Sequence, residues 1–100
     1  MEKTLHNSTV DAARDNVPDL TVYGDGDTFL LLCKASSKAE GWMKSTKAME
    51  IPGVGCVVQV TTQQGGRVAE ALTFVPGVTI VCANGVDTSE GRVLMSMELA

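Results

Sequence analysis

From Gly55 onward the chain alternates short apolar runs with glycine and proline pairs: GCVVQVTTQ, Gly65-Gly66, RVAEALTFV, Pro76-Gly77, VTIVCA. Runs rich in β-branched residues and bounded by such pairs read as strands joined by turns, so this half of the chain folds as successive hairpins. Register decides what those hairpins bury, because side chains alternate between faces and a one-residue slip exchanges them all. A two-residue Gly-Gly turn sets Leu72 and Phe74 on the side of Gln59 and Thr61, leaving the two largest apolar residues of the second run among polar neighbours. A three-residue loop, Gly65-Gly66-Arg67 with a glycine bulge, instead puts Cys56, Val58 and Val60 with Val68, Leu72 and Phe74. The bulged register is therefore expected, with Glu70 the one acid on the apolar side. Beyond Pro76-Gly77, Val78, Ile80 and Cys82 alternate with Thr79, Val81 and Ala83. A loop from Asn84-Gly85 to Gly91 then leads to a last strand, Arg92 to Leu99.

The N-terminal half is less regular. Ser8 as N-cap, Asp11 three residues on and Val17-Pro18 as a stop predict a short helix from Thr9 to Asn16. Leu20 to Tyr23 and Thr28 to Ala35 read as a hairpin around Gly24-Asp25-Gly26-Asp27. No EF-hand glutamate follows that loop, so turn chemistry explains it better than calcium. Phe29 to Cys33 is apolar on both sides of a strand and is expected at the centre of a sheet, covered on both faces. Ser36 to Ile51 is ambiguous. A capping pattern at Ser37 and Glu40, with Ala39, Trp42, Met43, Thr46 and Met49 at helical spacing, favours a helix ended by Pro52-Gly53, and Gly41 opposes it. The expected fold is α+β, mainly β: a small antiparallel twisted sheet or barrel with one or two short helices. It forms a single domain over residues 1–100, with an acidic arm over 1–17 and a β-rich core over 20–99. Exposed sheet edges in so small a fold favour a homo-oligomer.

With 100 residues there is room for one core. The net charge of −4 comes from residues 1–27, where six acids face only Lys3 and Arg14. An acidic chain lacks the broad positive footprint of a duplex nucleic-acid binder. No apolar run reaches the ~18 residues of a membrane span and no secretory leader is visible, so the expected location is the cytoplasm. Cys33, Cys56 and Cys82 lie inside strand-like runs without zinc spacing, as buried free thiols do. His6 is the sole histidine and sits near the N-terminus, a poor place for a Cys-His pair. Phosphate-loop, dinucleotide, zinc-protease and hydrolase motifs are all missing. These readings argue against an enzyme and give no cofactor or metal site, with a small cysteine-dependent enzyme the remotest alternative.

The segment Lys38 to Lys47 carries the most distinctive chemistry. Trp42, the only tryptophan, stands beside Lys44, Ser45, Thr46 and Lys47, with Lys38 before it and Lys34 on the preceding run. An indole stacks on a base, and ammonium and hydroxyl groups donate to phosphate oxygens, so these residues suit a small anionic, nucleotide-like ligand. A plain amphipathic element with solvated lysines explains the same pattern without any ligand. A second polar group, Gln59, Thr61, Gln63 and Thr73, is expected on one sheet face, lining a pocket, an interface or simply solvent. The acidic arm would suit a basic surface on a host protein.

The strings EGWMKSTKAMEIPG (Glu40 to Gly53), GCVVQVTTQ (Gly55 to Gln63) and AEALTFVPGV (Ala69 to Val78) resemble a group of short accessory proteins encoded by tailed bacteriophages. The resemblance covers the middle of the chain and transfers no site residue. It implies a protein acting in the bacterial host cell, countering host defence by sequestering a nucleotide-like immune signal or by blocking a host protein. A virion or assembly component is the alternative.

Overall fold

A computed structural model describes residues 9–24, 26–82 and 91–99. Its elements are one helical turn, α1 (Val10–Arg14), and six strands: β1 (Leu30–Ser37), β2 (Trp42–Ile51), β3 (Gly55–Gln64), β4 (Arg67–Pro76), β5 (Val78–Cys82) and β6 (Arg92–Ser96). The first four form an antiparallel meander in the order β1-β2-β3-β4, and β5 and β6 form a separate two-stranded sheet. The fold is therefore mainly β, as its alternating C-terminal half dictates.

The segment expected to be a helix is strand β2. Every residue from Trp42 to Ile51 pairs with β3, and Trp42 to Ala48 also pair with β1. Two ladders outweigh the i, i+4 pattern, since a lone amphipathic helix of this length draws most of its stability from packing that the strand obtains on both edges. The capping pattern is real but serves a turn: the Ser37 hydroxyl accepts the Glu40 N–H, the Gly41 N–H reaches the Ser37 carbonyl, and Gly41 adopts φ +72°. That left-handed conformation, natural for glycine, redirects the chain into β2.

The bulged β3–β4 register is likewise not adopted. Gln64 pairs with Arg67 across a two-residue Gly65-Gly66 turn, Gln59 opposes Leu72 and Val57 opposes Phe74. Leu72 and Phe74 thus share a face with Gln59 and Thr61, and they are left 62% and 47% exposed. The tight turn keeps an unbroken ten-residue ladder, which a bulge would interrupt.

Phe29 to Cys33 does not sit at the sheet centre, because β1 is an edge strand. A bulge between Leu31 and Cys33 breaks its register with β2. Residues 20–23 form no strand, so the expected first hairpin is missing: the Gly26 N–H bonds the Tyr23 carbonyl in a turn, and Asp27 Oδ1 accepts the Phe29 N–H at 2.9 Å. This Asx turn feeds the chain into β1, whose partner is β2. The helix is also shorter than its Thr9–Asn16 forecast, and its expected cap Ser8 lies outside the described residues, as do His6 and the 84–90 loop. The last strand ends at Ser96, with Val93 and Met95 on its more exposed side.

The sheet has two distinct faces. Face A carries Lys34 and Ser36 of β1, Met43, Ser45, Lys47 and Met49 of β2, Val57, Gln59, Thr61 and Gln63 of β3, and Val68, Glu70, Leu72 and Phe74 of β4. The N-terminal segment lies against its middle, where Thr9, Val10, Ala13 and Leu20 share a hollow with Met43, Ser45 and Thr61. Face B carries Trp42, Lys44, Thr46 and Ala48 with Cys56, Val58, Val60, Thr62 and Gln64. The β5–β6 hairpin caps its Ala48–Cys56 end, where the Cys56 thiol meets the Val78 carbonyl. Among the described residues only Met43, Ala48 and Cys56 are buried apolar side chains. The core is therefore thin and split between the two faces.

Candidate functional site

Strand alternation divides the candidate ligand residues. Trp42, Lys44 and Thr46 point to face B; Lys34, Ser45 and Lys47 belong to face A; Lys38 lies in the β1–β2 turn. The expected single basic cluster is not formed, because period two separates neighbours that a helix would have drawn together.

On face A the basic residues are already engaged. The Lys47 ammonium makes a 2.9 Å ion pair with Asp27 while only 12% exposed, and Ser45 is buried. Burial lowers the Lys34 pKa, with Lys47 and then Lys38 pushing the same way. Gln59, Thr61 and Gln63 line this face as expected, whereas Thr73 pairs with Val58 and so belongs to face B. The Thr61 hydroxyl donates to Glu70 at 3.2 Å, and the Gln63 amide donates to the Gly65 carbonyl at 3.1 Å. Thr61 is thus satisfied by Glu70 and Gln63 by the turn, while Gln59, Thr61 and Glu70 line a hollow of about 300 Å³ beneath the N-terminal segment.

Face B is different at the end away from β5–β6. Ser37, Trp42, Gln64 and Arg67 follow one another across the four strands, and Ala35, Lys44, Thr62 and Ala69 form the next row. The alanines keep the surface low, so Trp42 and Lys44 wall a shallow hollow of about 360 Å³ with Ala35, Thr62, Gln63 and Gln64. Lys44, Gln64 and Arg67 are exposed and Trp42 is half-buried. Adjacent strands lie about 4.8 Å apart, so Arg67 stands roughly 10 Å from Trp42 across the row. The ledge thus combines an aromatic face, two cations, a hydroxyl and an amide. Arg67, Thr62 and Gln64 are absent from the sequence-based set. Counting alternate residues back from the Pro52-Gly53 turn would have found Thr62 and Gln64, but only the two-residue Gly-Gly turn brings in Arg67.

A larger hollow of about 570 Å³ lies among α1, the 27–31 segment, Met49, Glu50, Ile80 and Arg92. Glu50 and Arg92, two of its charged groups, have assigned work. Glu50 accepts the Thr79 hydroxyl and, at 2.7 Å, the Ile80 N–H, which together hold its carboxyl below the ordinary value. Arg92 donates to the Leu31 carbonyl at 3.1 Å. Both contacts fasten β5–β6 to the meander. Of the cysteines, Cys33 is exposed and Cys56 is buried, with burial first and Glu50 second pushing the Cys56 thiol upward. That is the reverse of nucleophile activation. Among the described residues no group of side chains is arranged to hold a metal ion, and no helix is long and apolar enough to cross a membrane.

Fold and ledge together define a small antiparallel β-meander protein with a polar-aromatic end of one sheet face that no described element covers. The Lockin family model matches residues 1–95, and the chain belongs to the Lockin family. No curated protein and no solved structure matches it.

Proposed function

We propose that this Lockin protein is a non-enzymatic binding protein, encoded by a bacteriophage and acting in the host cytoplasm, that sequesters a small anionic, nucleotide-like ligand on the Trp42 ledge as a counter to host defence. The observation that carries the reading is the meeting of Trp42, Lys44 and Arg67 at the end of face B that no described element covers, with Thr62 and Gln64 between them. An indole supplies stacking for a base of any identity, and Lys44 and Arg67, two strands across and two residues along and so about 12 Å apart at the backbone, suit a phosphate or pyrophosphate group. Face A is the weaker candidate, because Lys47 is paired with Asp27 and the Thr61 hydroxyl with Glu70. The raised Cys56 thiol weighs against a cysteine-dependent enzyme.

Native mass spectrometry before and after incubation with a small-molecule extract of phage-infected cells tests the reading, since it reports both added mass and stoichiometry. Because Trp42 is the only tryptophan, its fluorescence follows the same titration. Trp42→Ala, Lys44→Glu and Arg67→Glu are each expected to abolish the added mass while leaving the β-sheet circular dichroism intact. Undiminished capture by the folded variants would remove the ledge from the site. A second reading, blockade of a host protein or a place in a virion lattice, draws on the exposed apolar residues of β4. Copies in purified particles, or a pulled-down partner with no small-molecule adduct, would favour it.

A further inference from the structure

We infer that the outer edge of β4 is a self-association surface, on which a second copy of this chain pairs its own β4 antiparallel about a two-fold axis at Ala71, joining two meanders into one eight-stranded sheet. The two edges of the sheet are treated differently. The β1 edge carries a bulge and Lys34, and Arg92 occupies its Leu31 carbonyl, three devices that discourage further pairing. The β4 edge has no register shift over ten residues, no lysine, and no proline before its last position. Every β4 residue except Val75 is exposed, and no described strand lies beyond it.

The direction of its backbone groups follows from contacts already made. The Gly77 N–H bonds the Val54 carbonyl, and the Gly65 N–H bonds the Gly41 carbonyl. Antiparallel ladders alternate, so the odd residues of β4 turn their N–H and C=O toward β3 while Val68, Glu70, Leu72 and Phe74 turn theirs outward. The side chains of those same four residues lie on face A, where Val68, Leu72 and Phe74 are 52%, 62% and 47% exposed.

A second copy satisfies this edge in one register better than in its neighbours. With Ala71 opposite its own counterpart, Val68 pairs with Phe74 and Glu70 with Leu72, in both directions. All four outward residues are then used, in about eight backbone hydrogen bonds. Shifting the axis to Leu72 sets Val68 against Pro76, which has no N–H to give. Shifting it to Glu70 sets two carboxylates face to face. In the Ala71 register each Glu70 keeps its Thr61 partner while its stem covers Leu72 of the other copy. The strip spans about 26 Å of strand and on the order of 350 Å² per copy, below the roughly 800 Å² per partner of a standard interface. The dimer is accordingly a weak and reversible one.

Sedimentation velocity of the full chain from about 1 to 300 μM is expected to show a monomer–dimer equilibrium. Leu72→Lys should weaken it at least about tenfold. Leu72→Pro, which removes an outward N–H and none facing β3, should do the same while retaining the monomer's β-sheet signal. Register is read by cross-linking in a Cys33→Ser background: Ala71→Cys should oxidise to a covalent dimer, because its two Cα atoms lie about 4.5 Å apart in a non-hydrogen-bonded pair, and Thr73→Cys should not. A monomer at every concentration, an equilibrium unmoved by Leu72→Lys, or equal cross-linking at positions 71 and 73 would overturn the inference. None of these readouts depends on a ligand, so failure here and failure of the Trp42 ledge are distinguishable.

Discussion

Replacing Asp27 with asparagine should loosen the N-terminal segment from face A, at a cost set by Lys47. The pair is 2.9 Å long, with the lysine side chain 12% and the aspartate 33% exposed. Exposed pairs contribute about 0.2–1 kcal/mol, and removing one member of a fully buried pair costs about 3–5 kcal/mol. A pair with one nearly buried partner falls between, at about 1.5 kcal/mol. The substituted amide would retain the oxygen that accepts the Phe29 N–H. Asp27→Ala loses that bond too and should cost about 1 kcal/mol more. For a domain of this size each kcal/mol lowers Tm by roughly 4–8 °C, so the asparagine variant should melt about 6–12 °C below the parent. The reverse change, Lys47→Met, should cost less, because the aspartate left behind is exposed enough to regain water. A double-mutant cycle of Asp27→Asn with Lys47→Met, read by urea unfolding, should give a coupling of about 1 kcal/mol that shrinks in high salt. A coupling below about 0.3 kcal/mol would refute the claim that this contact pins the segment.

Three further outcomes follow from the same packing. Glu50 has its carboxyl lowered by Thr79 and then Ile80, so its stabilisation is present above the ordinary carboxylate value of 4.5 and lost as pH falls through the lower folded value; Glu50→Gln should flatten the acid limb of stability measured by urea midpoints between about pH 5 and 3, and an unchanged limb would contradict the tether. Gly55→Ala should destabilise by about 2 kcal/mol or more, because its Cβ would stand 2.3 Å from the Val75 carbonyl oxygen, whereas Gly77→Ala, strained at φ +73° but meeting nothing within 4 Å, should cost about 1–2 kcal/mol; equal melting temperatures for the two would count against the close approach of β3 and β4. Native-state alkylation followed by peptide mass mapping should label Cys33 rapidly and leave Cys56 protected until unfolding, and fast labelling of Cys56 would show that β5–β6 does not cover it.

The C-terminal hairpins are legible in the sequence because glycine and proline pairs mark their turns and β-branched residues fill their strands. Two departures have physical causes. Trp42 to Met49 separates apolar from basic residues better as a helix than as a strand, and only its pairing partners, Val57 to Gln64 and the residues of β1, decide for the strand. The bulged register at Gly65-Gly66 rests on the premise that Leu72 and Phe74 must be buried by their own chain; they are not, and that premise hides the open edge. The candidate ligand set is half legible for the same reason. Trp42 and Lys44 stay together under any period-two reading, Lys47 leaves with the opposite parity, and Arg67 joins only through pairings that no local spacing reveals.

The meander also orders events in time. Each sheet contact from β1 to β4 closes a turn of two to four residues, so hairpins can zip successively at little loop-closure cost, and a chain dominated by such near-neighbour contacts folds quickly for a β protein. Longer closures come from Lys47 to Asp27, Cys56 to Val78 and Glu50 to Ile80, separated by 20, 22 and 30 residues. Arg92 to Leu31 spans 61. That last contact cannot form until Arg92 has left the ribosome. A nascent chain would thus hold its complete four-stranded sheet, including the Trp42 ledge, while the β5–β6 clasp is still being made.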